Sequence, residues 1–171
     1  MDDQFSKINQ YDRIIAQLST LLPKSADEQA RMATVAALLR HKLRHFFWTG
    51  FYELKNGRLV VKLYQGPVAC MELAKDTGVC WAAINSARTV VVPNVHEFPG
   101  HIACDSRSKS EICVPFRNAQ GVISAVLDID SDQFNTFDET DAQKLEAILA
   151  LIHSVTPAVA AAALPASQPC E

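Results

Sequence analysis

Nine residues constrain this chain more than any others. Val122–Asp130 reads Val-Ile-Ser-Ala-Val-Leu-Asp-Ile-Asp. A nearly continuous apolar run of that length is a strand buried within a sheet. Its two acids, Asp128 and Asp130, stand two apart and so leave the same face. Asn118–Gly121 reads as a turn, and Ser110–Phe116 as the strand before it. Folding the strands about that turn sets Glu111 opposite or diagonal to Asp128. Three carboxylates then meet on one face, at the strand ends away from the turn. Like charges directly opposite in a sheet are destabilising. Either water screens them at a solvated strand end, or they serve a cation, a substrate ammonium or a shared proton that raises one carboxyl's pKa. Periodicity alone does not choose between these.

The loop that leads into this hairpin tips the balance. Phe98–Glu111 reads Phe-Pro-Gly-His-Ile-Ala-Cys-Asp-Ser-Arg-Ser-Lys-Ser-Glu. It has neither helical nor strand periodicity, and Pro99-Gly100 breaks regular structure at its start. A long polar loop on a β scaffold carries function more often than stability. It holds Cys104, with His101, Asp105, Arg107 and Lys109 nearby, and it ends at Glu111. A cysteine above a carboxyl that can give a proton suits a reaction in which sulfur attacks and oxygen is carried off. Thiol reduction of a sulfoxide is such a reaction. It leaves a sulfenic acid that a second thiol condenses to a disulfide.

The other cysteines each have a plainer reading. Cys113 alternates between Ile112 and Val114 and reads as buried filler. Cys80 follows Gly78-Val79 at a helix start, where the helix dipole would lower its pKa; core packing accounts for it equally well. Cys70, in an irregular segment after Gly66-Pro67, suits a mobile resolving thiol. Cys170 is incidental. Five cysteines are an odd number, with no Cys-x-x-Cys pair and no zinc-finger spacing, so no disulfide framework is expected, and a zinc site from dispersed ligands stays open with little support from the sequence. Trp48 and Tyr52, four apart on a strand, share a face as core aromatics or as the wall of a pocket.

The rest of the chain completes an α+β pattern. Residues 4–22 carry Phe5, Ile8, Tyr11, Ile15, Leu18 and Leu22 at helical spacing and stop at Pro23. A second helix is expected from Ser25, capped by a Ser25–Glu28 box, to about Phe46. Phe46–Leu54 and Arg58–Gln65 read as a hairpin about Asn56-Gly57, with Leu59, Val61 and Leu63 on one face. Val68–Asp76 is mixed, Thr77–Ala87 helical, and Arg88–Pro93 a short strand. Phe137–Val155 is a closing amphipathic helix capped by Thr136 or Asp138. One domain over residues 1–156 and a disordered Ala/Pro-rich tail over 157–171 are expected.

A net charge of −3 provides no basic stripe for nucleic acid. No apolar run spans a bilayer and the N-terminus has no signal-peptide core, so a cytoplasmic protein with reduced thiols is expected.

Several stretches together resemble the free methionine-(R)-sulfoxide reductases, which are built on a GAF fold. They are Trp48–Tyr52 (Trp-Thr-Gly-Phe-Tyr), Gln65–Cys70 (Gln-Gly-Pro-Val-Ala-Cys), Gly78–Cys80, Val95–Asp105, Ser110–Pro115 and Leu127–Ser131. The resemblance covers roughly residues 5–153. It implies an antiparallel sheet of about six strands, with helices packed on one face and a ligand pocket on the other. It implies Cys104 as nucleophile, Cys70 as principal resolving cysteine and Cys80 as a further redox cysteine. Glu111, Asp128 and Asp130 would bind substrate and assist the sulfoxide oxygen, with Trp48 and Tyr52 as pocket aromatics. The substrate would be free L-methionine-(R)-sulfoxide. Thioredoxin would be the reductant, no cofactor or metal would be held, and the protein would be a homodimer. Cys113 departs from the family pattern, where an apolar residue stands. The rival readings are a non-enzymatic small-molecule sensor and a peroxide-sensing thiol switch.

Overall fold

The computed structural model describes residues 2–101 and 104–154; the Ala/Pro-rich stretch expected to be disordered lies outside them. Two helices come first, α1 (Asp2–Leu21) and α2 (Glu28–Lys42). Strands β1 (Trp48–Lys55), β2 (Arg58–Gln65) and β3 (Glu72–Leu73) follow. Then come α3 (Gly78–Ser86), β4 (Val90–Val92), β5 (Ser110–Arg117), β6 (Ile123–Ser131) and α4 (Glu139–Leu151). The strands form one sheet in the order β3-β2-β1-β6-β5-β4, with every neighbouring pair antiparallel. No described helix is long and apolar enough to cross a membrane.

The two faces of the sheet carry separate apolar clusters. On one face Phe51, Ile112, Val114, Leu127 and Ile129 pack with α1, α2 and α4 through Tyr11, Leu18, Leu39, Leu145 and Ile148. The opposite cluster contains Trp48, Tyr52, Val126 and Cys113 with Val79, Cys80 and Trp81 of α3. Three helices thus back the sheet, while α3 lies on the other face and walls a pocket there.

Local chemistry sets the boundaries. The β1–β2 hairpin turns at Asn56 and Gly57, whose φ values of 53° and 75° match a two-residue turn of the primed kind. The α4 start is a capping box: Asp138 accepts from the Asp141 N–H while Asp141 accepts from the Asp138 N–H. Asp141 is also buried, taking the Tyr11 hydroxyl at 2.7 Å and the Lys7 ammonium at 2.6 Å, so one side chain ties α4 to α1.

Four expectations need correction. The cap of α2 is Asp27, which accepts from the Ala30 N–H; Ser25 Oγ accepts instead from the Asp27 N–H, so the expected Ser25–Glu28 box does not form. That helix also ends at Lys42, not near Phe46. Phe5 is 67% exposed, and Ile14, absent from the expected stripe, is buried. Leu63 does not share a face with Leu59 and Val61. Phe51 pairs with Leu63 but Tyr52 with Val61, so Lys62 is an extra residue that reverses the side-chain alternation.

Candidate active site

The site lies over the middle strands, on the face that α3 shares. Glu111 and Asp130 are directly paired across β5 and β6, and Cys113 is paired with Asp128. All four side chains therefore rise from the same face. Trp48 is paired with Asp130, and Gly50 with Asp128, on the other side of β6. The lack of a side chain at Gly50 is required: a Cβ there would lie 2.6 Å from Trp48 Cη2 and 2.9 Å from the Leu63 carbonyl oxygen. Trp48 stacks against Tyr52, with centroids 5.8 Å apart, and against Tyr64 at 5.3 Å. The pocket above this floor encloses about 530 Å³ of empty space, part of it open to solvent. Its lining includes Trp48, Tyr52, Cys80, His101, Cys104, Glu111, Asp128 and Asp130. Every residue the sequence nominated is thus in this pocket or, for Cys70, bonded to it.

Cys104 and Cys70 are joined by a disulfide across 34 residues, their Cα atoms 5.5 Å apart. Cys104 is exposed at the pocket mouth. The Tyr52 hydroxyl donates to the Cys70 carbonyl oxygen at 3.1 Å, tying the pocket wall to the Cys70 segment. The end of the Cys104 loop is anchored separately. Arg107 donates to Asp105 at 2.7 Å and holds that carboxyl down at about 2. The Arg107 guanidinium also lies 5.2 Å from the centre of the Phe47 ring. Ser108 Oγ donates to Asp130, and the Lys109 N–H donates to the Ser131 carbonyl oxygen.

The carboxylates are not at a solvated strand end. Glu111 and Asp128 are 6% and 7% exposed. Burial, and then the charges of Asp128 and Asp130, push Glu111 well above the usual carboxylate range. Burial likewise lifts Asp130, with Asp128 adding to it and the Ser108 hydrogen bond opposing. Asp128 is also raised by burial, but only to about 6, because the thiols and Glu111 donate hydrogen bonds to it. Asp128 is therefore the one of the three that gives up its proton most readily. His101 Nε2 is 3.6 Å from Glu111 Oε2. Burial lowers the His101 pKa, with His96 adding to the effect.

Cys80 reverses one expectation. It lies in the first turn of α3, yet burial pushes its thiol well above the ordinary value, with Asp128, Glu111 and Asp130 adding to the rise. Cys113, read as filler, is fully buried but faces the acids: its Sγ is 3.1 Å from Glu111 Oε1 and 3.5 Å from both Asp128 Oδ1 and Cys80 Sγ. Its spacing of two from Glu111 on one strand was the available signal. Ser108, Gly50 and Tyr64 were also missed, since their roles arise only from register.

The model of the GAF domain family matches residues 18–154. A GAF domain-containing protein A from Dictyostelium discoideum is 45% identical over 86% of this chain and 92% of its own length. The free methionine-R-sulfoxide reductase of Escherichia coli is 35% identical over 88% of this chain and 90% of its own. A solved free methionine-R-sulfoxide reductase from Neisseria meningitidis, in complex with its substrate, is 37% identical. It superposes with a TM-score of 0.81 over 86% of this chain and 88% of that one.

Proposed function

This chain belongs to the GAF family and, within it, to the free methionine-(R)-sulfoxide reductases, and we propose that it reduces free L-methionine-(R)-sulfoxide with Cys104 as the nucleophile. It is an oxidoreductase of methionine sulfoxide. The observation that carries the assignment of roles is the Cys70–Cys104 bond at the mouth of a pocket floored by buried carboxyls.

The chemistry follows from the protonation pattern. Asp128, the carboxyl that ionises most readily, receives the substrate ammonium. The Trp48 and Tyr52 rings hold the thioether chain. Trp48 also has a buried indole N–H without an acceptor, which a substrate oxygen would satisfy. The Cys104 thiolate attacks the sulfoxide sulfur. Glu111, neutral and buried, gives its proton to the oxygen as the sulfur–oxygen bond breaks. The bond between the two sulfurs then breaks as methionine leaves, and the protonated oxygen passes to Cys104 as a sulfenic acid. Cys70 attacks that sulfur, water is released, and the disulfide forms. Cys80 lines the same pocket and is the thiol placed to exchange into that bond. A thioredoxin-type dithiol then returns Cys70 and Cys104 to thiols, consistent with a reducing, cytoplasmic setting and a homodimeric, single-domain protein over residues 1–156.

The test is to supply each diastereomer of free methionine sulfoxide with thioredoxin and measure methionine. Methionine from the R form, abolished by Cys104→Ser, is expected. No methionine from the R form would favour a small-molecule sensor on the same fold, and activity surviving Cys104→Ser would remove the role of Cys104.

A further inference from the structure

The sulfur of Cys113 has no part in this reaction, yet it sits at the centre of a compact set of donor atoms. Cys80 and Cys113 contribute Sγ atoms, and Glu111 and Asp128 carboxylate oxygens; all four atoms lie within 4.8 Å of one another. The side chains come from rigid elements: Glu111 and Cys113 from β5, Asp128 from β6 and Cys80 from the first turn of α3. Each is at most 7% exposed. Among the described residues, no lysine or arginine bonds to any of them, so the cluster has acceptors and thiols but no resident cation.

We propose that Cys80, Cys113, Glu111 and Asp128 form a site for one thiophilic divalent cation of the Zn²⁺ class on the pocket floor. The donor set is two soft thiolates and two carboxylates, a combination that suits four-coordinate zinc and not magnesium or calcium. Zinc–sulfur bonds of about 2.3 Å and zinc–oxygen bonds of about 2.0 Å set tetrahedral edges of roughly 3.8 Å between sulfurs and 3.5 Å between sulfur and oxygen. The observed spacings are 3.5 Å for Cys80–Cys113, 3.1 Å for Cys113–Glu111 and 3.5 Å for Cys113–Asp128. Those three edges need movements of a few tenths of an ångström to match, and the other three are no longer than 4.8 Å. The thiol and carboxyl protons that crowding retains here would be displaced by it, so binding releases protons. His101, 3.6 Å from Glu111 Oε2, is the outer partner that would orient that ligand.

The inference does not depend on the reductase reading, and its test reads the metal directly. The fully reduced full-length chain is titrated anaerobically with Co²⁺. The expected result is an intense thiolate-to-cobalt charge-transfer band with tetrahedral ligand-field absorption, saturating at one ion per chain and bleached by Zn²⁺. Cys104→Ser, Cys70→Ser and Cys170→Ser should keep the band. Cys80→Ser and Cys113→Ser, each checked for native circular dichroism, should weaken Zn²⁺ binding by more than about 100-fold, beyond the cost of losing an outer partner. Absence of the band, its persistence in Cys113→Ser, or its loss in Cys104→Ser would each overturn the assignment.

Discussion

Glu111 and Asp130 are direct partners across the β5–β6 ladder, with Asp128 one pair further along the same face. A sheet tolerates this more readily because burial favours the uncharged form of each acid. Burial raises all three carboxyls, Asp128 least, to about 6. A carboxyl that binds its proton more tightly folded than unfolded makes the protein less stable as pH rises from the unfolded value, near 4, through the folded one. The Asp128 share of this loss is therefore complete a little above pH 6. Asp128→Asn should flatten the fall in stability between pH 4 and 7 and raise the melting temperature at pH 8. The gain is on the order of 3 kcal/mol at most. Parallel melting curves in variant and parent across that range would contradict it. If Asp128 receives the substrate ammonium as proposed, KM should rise as pH falls below about 6, where that carboxylate takes up its proton.

The Cys70–Cys104 bond separates two kinds of turnover. Cys70→Ser should still yield methionine once per chain without added reductant, since the first step needs only Cys104. Its thioredoxin-driven rate should fall by at least about tenfold, because the sulfenic acid lacks its partner. Mass spectrometry of the quenched variant should show an added oxygen on Cys104 or a product of it. Full thioredoxin-driven cycling in Cys70→Ser would shift the resolving role to Cys80.

Tyr52 would touch both halves of the proposed reaction, since its ring is in the aromatic wall and its hydroxyl is on the Cys70 carbonyl. Tyr52→Phe keeps the ring and frees the Cys70 segment. The methionine burst should therefore stay near the parent rate, while disulfide formation slows several-fold, consistent with the loss of a hydrogen bond of about 1 kcal/mol. Stopped-flow methionine release and thiol-trapping of Cys70 measure the two steps separately. An equal slowing of both would mean that the hydroxyl acts on substrate and not on Cys70.

What the sequence carried was local and periodic. Asn56-Gly57 named its turn because only residues at ease with positive φ fit there. The meeting of Glu111, Asp128 and Asp130 on one face followed from one turn, but the exact register did not: Phe116 pairs with Ala125 and Arg117 with Ile123, so Ser124 is an extra residue that helps set Glu111 opposite Asp130. What it did not carry was decided at a distance. The extra residue at Lys62 leaves no compositional trace, so Leu63 was set on the wrong face. Cys80 had a plausible dipole, but its thiol is pushed up first by burial in the packed interior, with acids on strands far along the chain adding to it. Ser25 and Asp27 both suit a helix cap, and only the packed helix selects Asp27. Cys113 looked apolar because strand alternation reports burial and not what lies within the buried face.

Gly50 offers the sharpest test of how the pocket floor is assembled. It sits opposite Asp128 on one side and opposite Tyr64 on the other. A Cβ here would press on Trp48 Cη2 at 2.6 Å, on the Leu63 carbonyl oxygen at 2.9 Å and on the root of the Tyr64 side chain. Two of these neighbours cannot swing away, since one is backbone and another a Cβ atom. Gly50→Ala must therefore shift β2 or displace the Trp48 ring. The expected cost is about 1–3 kcal/mol, as for other overpacked sites, read as a lower melting temperature. Displacing Trp48 also spoils the wall that holds the substrate, so KM should rise severalfold while the Cys70–Cys104 bond still forms with a mild oxidant. A melting temperature and KM unchanged in Gly50→Ala would mean that the aromatic stack has more room than its geometry allows.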